Sequence, residues 1–436
     1  MTQTFRPEPH GARPIKASVR RHLPGLQPTW GVPVNDPSIS VAVNVPRRTI
    51  FLFSTAAFAS SVNIRVCDPL LPQVAHAFST TPGVAAGMVT AFAIAYGLLQ
   101  LVWGPIGDRR GKYWVAALAS MATGVFSAAG SFAETMNWLI VARFLAGGMA
   151  AAIIPLAFAW IGDAFSFATR QAVLARFLSA QFTGIVLGQA VGGFIGDVFG
   201  WRSVFLIVGA IHFLAGACML IELKVNPGAQ PAAAPAMTGW RTTVAAIGDL
   251  FASPWVRAML GIVFLEAFAM YGAFAYIGAD LHHRFGIGFG LVGLLLAVYG
   301  AGALTYSFTA KRLFQKLGER GLATAGGSLM ALCYALLAFA PSVAFALPAI
   351  AFLGLGFYML HNTLQTNATQ MAPQTRAMGV SMFAFFLFLG QSLGVALAAP
   401  VVDTWGAPPI YVVAALILPF VAIWFRARLG VRPVIA

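Results

Sequence analysis

Long uncharged apolar runs dominate this sequence and set the first limit on its fold. Residues 84–106 and 113–132 contain no charged side chain, and only a short cationic segment separates them. A helix rises about 1.5 Å per residue, so each run can cross the roughly 30 Å hydrocarbon core of a bilayer. The whole chain is 59% hydrophobic and 9% charged, whereas a soluble domain is about a quarter charged. These features predict an all-α membrane protein that crosses the bilayer many times.

Twelve apolar runs, numbered as spans 1 to 12, are expected, and one long connection divides them into six and six. The spans are residues 49–71, 84–106, 113–133, 138–160, 171–197, 203–223, 256–281, 288–309, 320–340, 343–367, 376–401 and 408–426. The long connection, residues 224–255, contains the linker-like stretch GAQPAAAPAM. We therefore expect five regions: a disordered tail over 1–48, a six-helix bundle over 49–223, a linker over 224–255, a second six-helix bundle over 256–426 and a tail over 427–436. Within the linker, residues 240–251 could form an amphipathic helix on the membrane surface.

The positive charge of the chain is a topology signal. An even number of spans places both tails and alternate connections on one side, and all but four of the 27 Lys and Arg residues lie there. The exceptions are Arg65, Arg143, Arg202 and Arg284. The positive-inside rule assigns that side, with both termini, to the cytoplasm. A net charge of +14 distributed in this way indicates membrane topology and not nucleic-acid binding.

The two halves of the chain repeat each other. LGQAVGG at 187–193 recurs as LGQSLGV at 389–395, Tyr96-Gly97 recurs as Tyr299-Gly300, and Thr169-Arg170 recurs as Thr375-Arg376. The three echoes occur in the same order and at nearly the same offset. They predict two pseudo-symmetric bundles that arose by duplication, with a central cavity where the bundles meet.

The segment GPIGDRRGKYW, residues 104–114, is interpreted as a turn at the membrane surface between spans 2 and 3. Its Gly104, Asp108, Arg109, Gly111 and Lys112 resemble the signature between helices 2 and 3 of the major facilitator superfamily. This resemblance implies twelve helices in two bundles, and it implies a gating role for these five residues. Asp108 would accept hydrogen bonds from the start of helix 11, near residues 376–378, and Gly104 would permit a close crossing. The loop KRLFQKLGER, 311–320, is a degenerate copy that lacks the aspartate.

Two further motifs resemble those of the same superfamily. In span 5, a glycine at every fourth position lets a neighbouring helix approach closely; the four are Gly184, Gly188, Gly192 and Gly196. The stretch GIVLGQAVGG resembles the helix-5 motif of proton-driven antiporters, although Gln189 replaces the expected proline. In span 4, RFLAGGMAA resembles a motif whose arginine, here Arg143, takes part in proton handling. Alternatively, Arg143 extends its charge to the nearby membrane surface.

Charged groups inside a bilayer cost several kcal/mol unless they are paired or hydrated, so each one is a functional candidate. Glu266 lies nine residues past Arg257, roughly 14 Å into span 7 and near the bilayer midplane. Removal from water favours the neutral acid, so Glu266 could take up and release a proton near neutral pH. The alternative is a permanently protonated side chain that hydrogen-bonds a neighbouring helix.

Arg65 and Asp68 share a face of span 1 and can pair. They could gate access by exchanging partners, or Arg65 could meet an anionic substrate group, or the pair could be static. Gln189 and its echo Gln391 are expected at matching depths as pore-lining amides.

The end of span 10, FYMLHNTLQTNATQMAP, places His361, Asn362 and Gln365 on a polar strip near the cytoplasmic mouth. With the residues that follow, it resembles bacterial drug-efflux and sugar-efflux permeases. His361 could carry protons or could simply pack between helices, whereas His212 is expected to be structural.

These observations favour a proton-coupled secondary transporter of a small organic solute, working as an exporter in the bacterial inner membrane. The alternative is a symporter or uniporter of an organic anion that uses Arg65. A multispan membrane enzyme would need a metal or catalytic cluster, for which Asp280, His282, His283 and Arg284 are the nearest group. We expect a monomer that interacts with its substrate, protons and the lipid bilayer, with no cofactor, no metal and no nucleic acid.

Overall fold

The computed structural model describes residues 46–165, 167–230, 247–371 and 376–430. Within these ranges the chain is helical, with no β-strand. The predicted tails and most of the linker, including residues 240–246, lie outside the described residues. The described part of the first half contains nine helices: Arg47–Arg65, Leu71–Ala77, Pro82–Ala85, Gly87–Arg110, Lys112–Ser131, Met136–Ala150, Ile153–Ala164, Phe167–Phe199 and Trp201–Val225.

The second half has fewer and longer helices in its described part. Residues 247–252 are helical, and the helices after them are Pro254–Phe274, Ile277–Phe285, Phe289–Ala338, Ala346–Ala368, Arg376–Trp405 and Pro408–Leu429. Three short 3₁₀ turns accompany the helices of the two halves, at Asp68–Leu70, Pro227–Ala229 and Val343–Phe345.

Eleven described segments are long and apolar enough to cross a membrane. One of them, Phe289–Ala338, is 50 residues long, far more than one crossing needs, and its backbone leaves the helical region at Gly318. Residues 289–317 and 319–338 therefore form spans 8 and 9. Spans 1 to 7 are Arg47–Ala77, Pro82–Arg110, Lys112–Ser131, Met136–Ala164, Thr169–Phe199, Trp201–Val225 and Pro254–Phe285, and spans 10 to 12 are Val343–Ala368, Met378–Trp405 and Pro408–Leu429. The predicted fold class, an all-α protein with twelve transmembrane helices, is confirmed.

The same helix pairs pack together in both halves. Spans 1 and 5, 2 and 4, and 3 and 6 are in contact in the first half, as are 7 and 11, 8 and 10, and 9 and 12 in the second. Glycines make the first of these contacts close. A Cβ on Gly188 would lie 2.9 Å from the Val62 carbonyl oxygen, and one on Gly390 would lie 2.2 Å from that of Phe264. Gly188 and Val62 thus correspond to Gly390 and Phe264, each 202 positions later, as duplication requires.

In the described part of the chain, most contacts between the bundles are made by span 2 with span 11 and by span 5 with span 8. The end of span 1 also meets spans 7 and 8. The two main helix pairs too are related by the repeat. A Cβ on Gly97 would lie 2.9 Å from Cβ of Phe388, and one on Gly300 would lie 2.1 Å from Cγ2 of Val186. We call the end of the molecule with Arg47, Arg110 and Arg426 the cationic face. The other end, with Gly200, Gly286 and Gly406, is the opposite face.

The expected surface loops at 104–112 and 311–320 are wrong in detail. Helix Gly87–Arg110 continues through Gly104 and Asp108, and the next helix begins at Lys112, so the turn is Gly111 alone, at φ 97°. The second loop is helical except at Gly318, at φ 63°. A left-handed φ costs a glycine nothing, so one residue is enough to reverse the chain where a longer loop was expected.

Candidate functional site

Glu266 of span 7 and His361 of span 10 form a buried pair in the second bundle. The imidazole Nδ1 lies 2.8 Å from Oε2 of Glu266. Glu266 is 0% exposed, and its other oxygen, Oε1, is buried without a hydrogen-bond partner in the described part of the chain. A carboxyl and an imidazole in contact share their protons as one unit. The sequence predicted each group as a separate candidate and did not predict that they meet.

Aromatic rings enclose this pair. Phe357, one helical turn before His361, stacks on the imidazole with ring centroids 4.7 Å apart and planes at 12°. Phe383 of span 11 packs at 5.5 Å. These two ring contacts help to hold the imidazole in the orientation that meets Glu266.

A second polar group lies in the first bundle, where span 1 is interrupted. Helix Arg47–Arg65 ends at Arg65, and Asp68 begins a 3₁₀ turn. An Nη1 atom of Arg65 lies 3.8 Å from Oδ2 of Asp68, and both side chains are buried. Gln189 donates a 3.4 Å hydrogen bond to the same Asp68 oxygen. Gln189 therefore faces Asp68 within its own bundle, and its role in lining a pore stays a prediction.

Arg65 connects the two groups across the bundle interface. Its guanidinium carbon lies 3.9 Å from the ring centre of Tyr271 on span 7, a cation–π contact. The Tyr271 ring packs against Phe357 at 5.3 Å, and Phe357 in turn stacks on His361. A continuous series of contacts thus runs from Asp68 in one bundle to Glu266 in the other.

Arg143 is buried and does not reach the membrane surface, so the surface alternative for this side chain is wrong. It donates to the side chain and, at 3.0 Å, to the carbonyl of Asn63, and its guanidinium lies 4.1 Å from the ring centre of Phe92. Asn63 donates in turn to Ser127 at 3.0 Å. Arg143 therefore links span 4 to spans 1 and 2, and Asn63 extends this contact to span 3.

The remaining polar candidates are dispersed. Gln391 is buried, Asn362 is half-buried and Gln365 is exposed, so the strip predicted at the end of span 10 runs from the interior outward. His212 is buried beside the Ser120 hydroxyl at 3.3 Å, between spans 6 and 3. Asp280 pairs with Arg284 at 2.5 Å. Among the described residues, no three His, Cys, Asp or Glu side chains could hold a metal ion together.

The segment predicted to gate, residues 104–112, lies at the cationic face, within the first bundle. Lys112 bridges two carboxylates, Asp108 at 2.9 Å and Asp163 of span 4 at 2.6 Å. Arg109 is exposed. The close crossing expected at Gly104 is not present among the described residues, because a Cβ there would meet none of their atoms within 4 Å. The expected partner of Asp108 adjoins residues 372–375, which lie outside the described part, so that contact stays a prediction.

Two aspartates at the opposite face make the kind of contact expected of Asp108. Asp403, near the end of span 11, accepts from the Thr81 hydroxyl at 2.7 Å and from the Gly83 backbone N–H at 2.8 Å, at the start of span 2. Asp197, near the end of span 5, accepts from the Gly290 backbone N–H at 3.1 Å, at the start of span 8. We call these two contacts the clasps. Each joins one bundle to the other at a helix N-terminus, where the dipole favours an anion.

Sequence reasoning missed Tyr271, Asn63 and both clasp aspartates. Tyr271 and Asn63 resemble ordinary interior residues and carry no motif. The clasps do carry a signal: Asp197 and Gly83 recur about one repeat later as Asp403 and Gly290. Searching the echoes for charged residues at the ends of spans would have found them.

Comparisons with known proteins agree with this architecture. The family model of the Major Facilitator Superfamily matches residues 53–395 and 259–434. The chain is 26% identical over 379 residues to the uncharacterized MFS-type transporter YwfA of Bacillus subtilis, covering 85% of this chain and 90% of YwfA. It is 25% identical over 399 residues to the multi-drug resistance efflux pump PmrA of Streptococcus pneumoniae, covering 86% and 96% of the two chains.

Solved structures share the fold at low identity. A bacterial homolog of the human lysosomal transporter Spinster superposes with a TM-score of 0.73 at 18% identity, over 89% of this chain and 98% of that one. The nucleoside transporter NupG superposes with a TM-score of 0.67 at 15% identity, over 87% and 99%. With the family match along most of its length, the protein is a membrane transporter and not an enzyme, and it belongs to the Major Facilitator Superfamily.

Proposed function

We propose that this transporter exchanges protons for a small organic solute and exports the solute. The observation that carries the proposal is the Glu266–His361 pair, two groups able to bind protons in direct contact at the interior of the second bundle. With one proton between them, the ion-paired and the neutral forms both have no net charge. Gain of a proton gives the pair a net positive charge, and loss of one a net negative charge.

The cost of burying that net charge couples proton binding to the conformation of the transporter. A charge in the membrane interior costs several kcal/mol unless water or a partner compensates it. A conformation that opens the pair to water lowers this cost, so the number of bound protons and the face that is open depend on each other. The unpartnered Oε1 of Glu266 is the atom through which such a proton would enter or leave.

The contacts through Tyr271 connect the protonation state of the Glu266–His361 pair to the first bundle. Arg65 lies over the Tyr271 ring and 3.8 Å from Asp68, a distance too long for a tight hydrogen bond. A guanidinium held loosely between a ring and a carboxylate can change partners when the bundles move. In this proposal Glu266 and His361 bind the proton, and Arg65 and Asp68 respond to it.

The orientation and direction follow from charge and from relatives. The excess of Lys and Arg at the cationic face supports placing that face and both termini in the cytoplasm of a bacterium, with the protein in the inner membrane. PmrA, a named efflux pump, supports export. We expect the monomer to be the transporting unit.

A second candidate is symport or uniport of an organic anion. It is favoured by the buried guanidinium of Arg65 at the bundle interface, a group suited to binding a carboxylate or phosphate. Gln189, where proton-driven antiporters of this superfamily have proline, also favours it. In this candidate the anion displaces Asp68 from Arg65.

The proposal can be tested without knowing the substrate. Spin labels would be attached to the substitutions His76→Cys and Trp405→Cys in a variant without Cys67, Cys218 and Cys333. Both positions are exposed near the opposite face, and they belong to different bundles. Distance distributions measured against pH then report how often that face opens. With one coupled proton, the ratio of open to closed molecules changes by up to about tenfold per pH unit.

We expect Glu266→Gln to remove this pH response. Glu222→Gln is the control, because Glu222 is equally buried but pairs with Arg48, away from the bundle interface. It should respond as the wild type does. A response that persists in Glu266→Gln and disappears in Arg65→Gln would favour the anion transporter and remove Glu266 from the mechanism.

A further inference from the structure

A cavity of about 560 Å³ opens between spans 1 and 5 near the cationic face. The two helices touch where Gly184 meets the carbonyl of Phe58, and the cavity lies on the cationic side of that contact. Its walls are apolar apart from three hydroxyl side chains and two arginines, Arg47 and Arg176. Its volume is in the range of small-molecule sites. We call it the wedge.

The two arginines of the wedge are exposed, and neither has an ion pair or hydrogen bond from its guanidinium within the described residues. Arg48, the next residue after Arg47, is by contrast paired with the carboxylate of Glu222. Two free guanidinium groups at the mouth of an apolar cavity complement a phosphate that carries an apolar body.

The wedge is continuous with an exposed apolar surface of span 5. On span 5, the wedge residues Arg176, Ala180 and Thr183 continue at helical spacing into an exposed apolar stripe. The stripe consists of Leu187, Val191, Phe194 and Val198, between 40% and 60% exposed. On span 1, the wedge residue Phe51 is 69% exposed. Such surfaces in a membrane protein face acyl chains.

We propose that the wedge binds an anionic phospholipid. Arg47 and Arg176 hold the phosphate, and the acyl chains follow the apolar stripe of span 5 toward the bilayer centre. Basic pockets between transmembrane helices are suited to such headgroups. A soluble anion would use the arginines but would leave the apolar wall and stripe without a partner. The site is separate from the Glu266–His361 pair and does not depend on proton coupling.

Native mass spectrometry of the delipidated protein, titrated with phosphatidylglycerol or phosphatidylcholine, tests this site. We expect phosphatidylglycerol to bind more tightly than phosphatidylcholine. Arg47→Gln with Arg176→Gln should weaken phosphatidylglycerol binding roughly 30-fold, since each surface cation contributes about a factor of five. Ala180→Trp, which fills the wedge and keeps both charges, should weaken it as well.

The matched control removes two other arginines from the same face. Arg426 and Arg428 are exposed at the end of span 12 and do not line the wedge. Their replacement by Gln should leave phosphatidylglycerol binding within about twofold of wild type. An equal loss in this control would show bulk surface charge and overturn the proposal. Unchanged binding in the wedge variants, or displacement of the lipid by an equal concentration of inorganic phosphate, would also overturn it.

Discussion

At the opposite face, Asp197 and Asp403 each reach from one bundle to the first turn of a helix in the other, whereas at the cationic face Asp108 pairs with Lys112 inside its own bundle. The chemistry is the same in kind, a carboxylate near a hydrogen-bond donor. The difference lies in what each contact joins. The clasps join the two bundles, whereas the Asp108–Lys112 pair joins spans 2 and 3. The contact of Asp108 with the start of span 11 stays a prediction, since residues 372–375 lie outside the described part.

This comparison explains how one set of contacts can favour one conformation. The clasps act together with close glycine crossings, since a Cβ on Gly293 would lie 2.5 Å from the Gln189 carbonyl oxygen. At the cationic face the Asp108 side chain is 47% exposed, and no atom of the described residues would lie within 4 Å of a Cβ on Gly104. A transporter that opens its two faces alternately must break the first set of contacts and form a different one, so the clasps should stabilise the conformation seen here.

The largest expected effect comes from removing both clasps. A hydrogen bond to a charged group contributes about 1.5–3 kcal/mol, so Asp197→Ala with Asp403→Ala should raise the population open at the opposite face by roughly 100-fold or more. The spin-labelled pair at His76 and Trp405 measures this population directly. Of the single variants, Asp403→Ala should have the larger effect, because Asp403 accepts two hydrogen bonds and Asp197 accepts one.

Glu134→Ala serves as the control for the clasp variants. Glu134 is an exposed carboxylate in the connection between spans 3 and 4 at the same face. It removes the same charge without breaking a clasp, so the distance distribution should match that of wild type. If the double variant keeps the distance distribution of the closed face, the glycine crossings alone hold this face closed. The clasps would then not stabilise the closed conformation.

A matched pair of glycine substitutions sharpens the comparison. Gly293→Ala puts a methyl group against the backbone of span 5 at a place where no side chain can move away. It should separate spans 5 and 8 and raise the open population about tenfold, from an overpacking cost of about 1–3 kcal/mol. Gly104→Ala should leave the population unchanged and stabilise its helix by about 0.5–1 kcal/mol.

Melting of both glycine variants in detergent, together with the same distance measurement, checks this pair. If Gly104→Ala opens or closes the protein as strongly as Gly293→Ala does, Gly104 must meet another helix in a second conformation. That result would restore the close crossing that the motif implies for a state other than the one described.

The fold could be predicted because hydrophobicity and repetition act locally. Each apolar run defines its own helix, and echoes such as Tyr96-Gly97 and Tyr299-Gly300 reveal the duplication without any knowledge of contacts. The turns could not be predicted, because a charged segment with glycines can form a loop or continue a helix. Gly111 and Gly318 each take a left-handed φ, which shortens an expected loop to one residue.

The candidate site could be predicted only in part. Glu266 and Arg65 stand out because charge is rare inside apolar runs. Their partners depend on helix rotation and packing between spans: His361 is 95 positions from Glu266, and Tyr271 is an ordinary aromatic residue until Arg65 lies over its ring. The burial of Arg143 could not be predicted either, because its partner Asn63 is in another span.

The smallest expected effect is at the cationic face, where Lys112→Ala removes both ion pairs of the 104–112 segment. Its carboxylate partners are about half exposed, at 47% for Asp108 and 44% for Asp163, so water and salt screen the interaction. Exposed pairs contribute about 0.2–1 kcal/mol each, and denaturant melts in low salt should show a loss of at most roughly 2 kcal/mol that shrinks in high salt. The population open at the opposite face should change less than twofold, because both pairs stay within the first bundle. A shift as large as that of the double clasp variant would mean that this junction already acts between the bundles, and the distinction between the two faces would fail.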